Sequence, residues 1–238
     1  MKNLVEPIKD VNDLNNIIKY LKNYDIRYYT IFMIGLYSGL RISDICNLDI
    51  DDVKNKDYIE VIEQKTGKYK RFPLNENLQS IMYNYLLIRD DYYGVGDCEN
   101  ALFIGKQHKR LDRYQVYRII CRACKECNIK GNFGTHTMRK TFGYHHYRQF
   151  KDIALLQTIF NHSSQAITKR YIGISQEEID TSYKDFRYTT DNYECSLPKN
   201  RGTFRDIENG LDYLLNLYKK LDNKLSKLLG KLDIQEVE

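Results

Sequence analysis

Four separate segments carry side chains whose types and spacing suit chemistry at a phosphate. Gly39-Leu40-Arg41-Ile42-Ser43-Asp44 places an arginine after an apolar run, with an acid three residues on. Lys65 lies near the tip of a hairpin pattern. His136-Thr137-Met138-Arg139 spaces an imidazole and a guanidinium three apart, on one face of a helix. His162-Ser163-Ser164 precedes another helix, which the serines can cap and whose far end carries Tyr171. Singly, each has an ordinary explanation. Arg41 pairs with Asp44 at the surface, Lys65 is solvated beside a turn, and His136 and Arg139 line a wet helix face. Tyr171 is one of 21 tyrosines, whereas there are five histidines, and two of them fall where a phosphate site needs them.

Together they answer the demands of one reaction. Attack on a phosphodiester puts charge on the non-bridging oxygens, which two arginines can clamp with forked donors. Such a clamp can replace the metal ions used by many phosphoryl-transfer sites. A tyrosine hydroxyl, with a free pKa of about 10, must lose its proton before it attacks. A histidine can accept that proton, and a mobile lysine can protonate the departing sugar oxygen. The phosphotyrosine so formed conserves the bond's energy, so no nucleotide cofactor is needed. With no P-loop and no cluster of metal-binding carboxylates in the sequence, neither cofactor nor metal is expected.

The elements that must position these residues are mainly helical. Val11, Leu14, Ile17, Ile18 and Leu21 recur at helical spacing over 11–22. Residues 26–38 form a largely buried second helix ending at Gly39, and 42–48 a short third. Tyr58-Ile59-Glu60-Val61-Ile62 and Tyr69-Lys70-Arg71-Phe72, joined through Thr66-Gly67, read as a hairpin. Helices follow at 76–89, 112–127, 136–149, 152–161, 164–173 and 176–187. The expected fold is mainly α with one small β-hairpin, an α+β arrangement. Residues 1–188 form the chemical domain and 189–203, with Pro198 and Asn200-Arg201-Gly202, a linker. In 204–238 an apolar stripe from Phe204 and Ile207 to Leu228 and Leu232 alternates steps of three and four. That period predicts an amphipathic helix that self-associates as a coiled coil, or else lies on its own domain.

Composition narrows the class. Over 238 residues the formal charge is +5, which permits a polyanionic partner without requiring one. No apolar stretch marks the start and no run could span a bilayer, so a cytoplasmic protein with reduced thiols is expected. Cys121, Cys124 and Cys127 make a C-x2-C-x2-C, but within a helical pattern and without a fourth ligand nearby; they read as helix cysteines in or near the core.

These motifs, in order over residues 10–190, resemble the catalytic domain of the tyrosine recombinase (phage integrase) family. They include Lys65-Thr66-Gly67-Lys68 leading to Phe72-Pro73-Leu74, and Tyr171 nine residues after His162. The resemblance implies a site-specific enzyme that cuts and rejoins double-stranded DNA through a 3′-phosphotyrosine, leaving a free 5′-hydroxyl. By it, Arg41 and Arg139 bind the scissile phosphate and Lys65 is the general acid. His136 works in proton transfer, His162 gives the phosphate a hydrogen bond, Asp44 supports Arg41, and Tyr171 is the nucleophile. It also implies a homo-oligomer, a tetramer on recombining DNA, with 175–186 docking on a neighbouring protomer or packing on its own chain. The C-terminal stripe is expected to add a dimer contact. Two features depart from the family. Asn161 stands where glycine usually precedes the histidine, and the usual DNA-clamping helical domain has no counterpart ahead of the first dozen residues. A nicking-closing enzyme of topoisomerase IB type uses the same residues, and a DNA-binding or architectural protein could keep the fold without the reaction.

Overall fold

Asp10 caps the first helix: its carboxylate accepts from the Asn12 and Asp13 N–H groups at the start of α1 (Val11–Tyr24) in the computed structural model. A cap of this kind stabilises a helix by ~1 kcal/mol. The structure describes residues 5–93, 100–105, 108–174, 176–186, 214–215 and 218–222. Asp25 ends α1 and caps α2 (Ile26–Ser38) through Arg27 N–H. Ile31, Phe32 and Ile34 of α2 are fully buried, and Thr30 donates its hydroxyl to the Ile26 carbonyl. A helix apolar on every side belongs at the centre of a fold. Around α2 pack α1, α3 (Ile42–Cys46), α4 (Glu76–Tyr93), α5 (Arg113–Glu126) and α6 (Thr137–Phe150).

The single β element among the described residues is an antiparallel hairpin of β1 (Tyr58–Ile62) and β2 (Tyr69–Pro73). Its register runs from Tyr58 opposite Pro73 to Ile62 opposite Tyr69. Ile59 and Phe72 face the core, and the next inward positions carry Val61, Glu63 and Lys70. A small second cluster completes the fold. Leu156 and Phe160, from α7 (Ile153–Ile159) and its cap, meet Ile172 of α8 (Gln165–Ile172), with Phe142 and Tyr171 against them. The last described helix of this part is α9 (Gln176–Asp185).

Two glycines let α6 sit close to its neighbours. A Cβ on Gly35 of α2 would lie 2.8 Å from Met138 Sδ, and one on Gly143 of α6 would lie 2.7 Å from both Phe160 and Ile172. The first contact brings Arg139 beside the end of α2; the second brings α8 and its tyrosine beside α6.

The expected mainly α fold with one small hairpin is what forms. The helix at 42–48 stops early, at Cys46, where the next N–H, that of Leu48, bonds Ile45 in a tighter turn instead of Asp44. The helix at 76–89 runs on to Tyr93. Residues 100–105 and 108–111, to which periodicity assigns nothing, form two isolated bridges, Asp49–Ala101 and Ile104–Arg110. They bury Leu102, Phe103 and Ile104, while Arg89 binds the Ala101 and Leu102 carbonyls. Cys121 and Cys124 lie in α5, Cys127 caps it, and Cys124 is buried. No helix among the described residues is long and apolar enough to cross a membrane.

The chain divides into two compact units, residues 1–183 and 184–238. In the second, 214–215 and 218–222 are helical, and Leu214, Leu215, Tyr218 and Leu221 are exposed. The linker at 189–203 and most of the expected coiled coil at 204–238 lie outside the described residues.

Candidate active site

Gly39 ends α2 at φ 60, a left-handed conformation that a side chain disfavours. The chain can then turn at once into Arg41, the N-cap residue of α3. Arg41 does not pair with Asp44 at the surface, as it would in the ordinary reading of that motif. Its Nη1 lies 2.7 Å from Glu63 Oε1 and 3.9 Å from Asp44 Oδ2. Asp44 is itself buried, accepts from the Gln64 N–H at 3.1 Å and has its carboxyl pushed up by that burial. The acid behind Arg41 thus fastens the hairpin to α3.

Arg139 is not on a wet face either. It is 1% exposed and donates to the Gly39 carbonyl at 2.7 Å and the Phe160 carbonyl at 2.8 Å. Its guanidinium lies over the Phe160 ring, 4.4 Å from the centroid. These contacts tie the end of α2, α6 and the end of α7 to one guanidinium. Glu63, with no exposure, sits between the arginines: its Oε1 is 3.5 Å from Arg139 Nη1, and its Oε2 accepts from the Thr66 hydroxyl at 2.7 Å. Burial pushes the Glu63 carboxyl up, but hydrogen bonds from Arg41 and Thr66 and the two positive charges prevail and hold it below its ordinary range.

Tyr171 lies at the end of α8, which Ser164 caps by accepting from Ile167 N–H. Its hydroxyl is 3.0 Å from His136 Nδ1. Burial pushes the Tyr171 hydroxyl up to about 12, against the pull of Arg139 and Arg41. Burial, then Arg139, Arg41, Lys65 and Lys140, push His136 down. A neutral His136 protonated on Nε2 has Nδ1 free to accept the tyrosine's proton. His162 packs between Phe160 and Tyr171, with ring centroids 5.2 and 5.1 Å away. Its Nδ1 is 3.0 Å from Thr168 Oγ1, and that hydroxyl donates to the Ser164 carbonyl. His162 Nδ1 therefore donates to Thr168, which leaves Nε2 as the nitrogen for another partner. Burial, reinforced by the arginines, pushes His162 down to about 4.

The six expected residues meet at one concavity of about 360 Å³: Arg41, Lys65, His136, Arg139, His162 and Tyr171 all line it. Lys65 is exposed on the hairpin, and the neighbouring Lys68 reaches the Asn161 carbonyl at 3.3 Å. A second concavity of about 510 Å³ adjoins, sharing Arg41, Lys65 and His136 and adding Arg113 and Tyr114. Among the described residues no group of His, Cys, Asp and Glu is arranged to hold a metal ion.

The sequence pattern of the phage integrase family matches residues 8–178. The chain belongs to this family. It is 40% identical over 186 residues to the probable integrase/recombinase YoeC of Bacillus subtilis, a match covering 77% of this chain and 97% of that one. It is 32% identical over 168 residues to the tyrosine recombinase XerC of Caldanaerobacter subterraneus subsp. tengcongensis, covering 70% and 46%. The chain thus spans nearly all of the first relative and about half of the second. Among solved structures, XerA recombinase superposes with a TM-score of 0.64 at 26% identity, covering 78% of this chain and 68% of that one. A λ integrase dimer bound to a COC′ core site shares the fold, with a TM-score of 0.57 at 16% identity, covering 74% and 63%.

Where the family usually has glycine before the histidine, Asn161 takes φ 53. Asparagine tolerates that region better than most residues, so the backbone keeps its course. Motif reading missed Glu63, Thr168 and Lys140. Glu63 carried a signal: it continues the inward phase of Ile59 and Val61, where a carboxylate needs a buried partner. Thr168 and Lys140 carried none, because their roles depend on which helices meet.

Proposed function

We propose that this chain is a site-specific DNA recombinase that cuts and rejoins strands through a phosphotyrosine on Tyr171. The observation that carries the reading is the 3.0 Å contact of the Tyr171 hydroxyl with His136 Nδ1, inside a cleft lined by two arginines, a lysine and a second histidine. In the proposed reaction Arg41 and Arg139 hold the non-bridging oxygens of the scissile phosphate, with Glu63 and Asp44 fixing their positions. Tyr171 Oη attacks phosphorus as its proton passes to His136. The bond from phosphorus to the 5′ oxygen breaks, and Lys65 Nζ gives that oxygen its proton. His162 offers Nε2 to a phosphate oxygen. A proton on that nitrogen is needed for it to donate, and a bound phosphate's charge favours one. Charge neutralisation by two fixed guanidiniums makes the reaction independent of metal.

The test is trapping of the intermediate on a nicked suicide duplex, selected for binding from a randomised pool and read on a denaturing gel. The general-acid role gives a sharper result. Lys65→Ala is expected to slow adduct formation by about 10²–10⁴-fold, as loss of a positioned acid does. Replacing the leaving 5′ oxygen with sulfur, which departs without a proton, restores most of that rate in the variant. Equal losses on both substrates exclude Lys65 as the acid.

Double-stranded DNA is the proposed partner, and the enzyme works as an oligomer. The λ integrase relatives of the same fold include a dimer on a core site and a tetramer on a Holliday junction. The exposed apolar residues Leu214, Leu215, Tyr218 and Leu221 support self-association through the C-terminal stripe. Sedimentation of the full chain against a chain ending at Asp191 checks this, with a fall in mass and in DNA affinity expected for the shorter one. Identical behaviour removes the stripe from the assembly.

A further inference from the structure

Lys140 is unlike the other cations around the cleft. It follows Arg139 on α6 and is 5% exposed, yet among the described residues no carboxylate lies within ion-pair distance of it. Its contact is with the nucleophile itself: Nζ lies over the Tyr171 ring, 4.9 Å from the centroid. Burial lowers its pKa, and Glu6, an exposed residue, is the acid that opposes the shift. Burial of the lysine carries a desolvation cost for its charged form, and that cost falls when negative charge appears next to it.

We propose that Lys140 is a positioning residue for Tyr171, holding the ring by its face and favouring the phenolate over the phenol. A cation over an aromatic ring is attracted to its electron-rich face. Ionising the phenol spreads negative charge into the ring, so the attraction strengthens in the form that attacks. The other groups facing Tyr171 sit elsewhere. His136 touches the hydroxyl; Arg139 of α6 acts on it by charge and hydrogen bond and Arg41 before α3 by charge, with Glu63 behind them. His162 meets the ring edge to face, and Lys65 of the hairpin acts on His136. Phe160 and His162 restrict the ring from other directions, so Lys140 completes a three-sided hold. The role rests on the reading of Tyr171 as nucleophile, but its first test does not.

That test places 3,5-difluorotyrosine at position 171 of the full chain and follows its ¹⁹F shift against pH, without DNA. Two fluorines make the phenol acidic enough to ionise at a pH where Lys140 still carries its charge. Lys140→Met and Lys140→Gln are expected to raise the midpoint by about half a pH unit, or ~0.7 kcal/mol at 1.36 kcal/mol per unit. Lys140→Arg, which keeps the charge, stays near wild type. Coincident midpoints in all four proteins overturn the proposal, as does a shift in Lys140→Arg as large as in Lys140→Met. Circular dichroism at the same pH values separates a titration from unfolding. If neither neutral variant folds, the adduct assay with Lys140→Arg decides: a pH profile matching wild type supports the charge, and a displaced one overturns it. Should wild type form no adduct on any duplex, the recombinase reading fails, while the fluorine titration still reports on Lys140.

Discussion

Tyr171→Phe is expected to abolish the covalent protein–DNA adduct, a loss on the order of 10⁴–10⁶-fold, as when a covalent nucleophile is removed. The substitution deletes one oxygen and nothing else. The phenylalanine ring keeps its place against Phe160, His162 and Lys140, because those contacts are made by the ring. The hydroxyl's hydrogen bonds with His136 and Arg139 are lost in the free protein. Stability therefore falls by about 1–3 kcal/mol, the cost of leaving buried partners unsatisfied. DNA binding holds, since Arg41 and Arg139 keep their positions and phosphate contacts dominate affinity. The measurement pairs a denaturing gel for the adduct with a mobility shift for binding. Adduct in Tyr171→Phe at wild-type yield assigns the attack to another group and sinks the proposed mechanism. Loss of both adduct and binding points to a damaged fold instead, which a thermal melt detects.

Glu63→Ala is expected to be the most destabilising single change at the site. It removes the carboxylate between two guanidiniums, 2.7 Å from Arg41 and 3.5 Å from Arg139, and leaves the buried Arg139 without its ionic partner. Breaking a buried pair from one side costs about 3–5 kcal/mol. For a unit of this size that corresponds to a fall in Tm of roughly 6–20 °C. The same carboxylate sets an acid limit on wild type. Its folded pKa lies below the ordinary 4.5, so its contribution is whole above that value and drains away as pH falls through the folded pKa. Urea melts from neutrality down to acid should thus show wild type losing stability over a range where Glu63→Ala changes less. A loss under about 1 kcal/mol, with the same acid limb in both proteins, refutes the bridging role.

Local signals made most of the fold legible. Helical periodicity found each α-helix among the described residues from 11 to 185, because such a segment repeats its pattern within a few turns. Thr66-Gly67 between two alternating runs gave the hairpin, and Gly39 gave the end of α2, because only a few residues accept those backbone angles. Residues 100–105 and 108–111 were not legible: their bridges pair with Asp49 and with each other, and no local period records such pairing. The C-terminal stripe shows the reverse limit, since its period is plain but its partner is not written in it.

For the site, the sequence by itself determined the inventory. Two arginines, a hairpin lysine, two histidines and a tyrosine stand in a fixed order, and their chemistry names a phosphodiester as the target. The tertiary structure decided how they are wired. Gly35 and Gly143 let α6 approach α2 and α8 closely enough for Arg139 to bind the Gly39 carbonyl, 100 positions away, and for His136 to meet Tyr171. Arg41 lies closer to Glu63 than to Asp44 because the hairpin folds a buried carboxylate against it. Lys140 has no signature at all in the chain. A lysine beside an arginine looks like one more solvated cation until α8 packs Tyr171 beneath it. Residue types fix which reactions are possible; distances of a few ångströms between remote segments, set by helix packing, fix which group meets the Tyr171 hydroxyl.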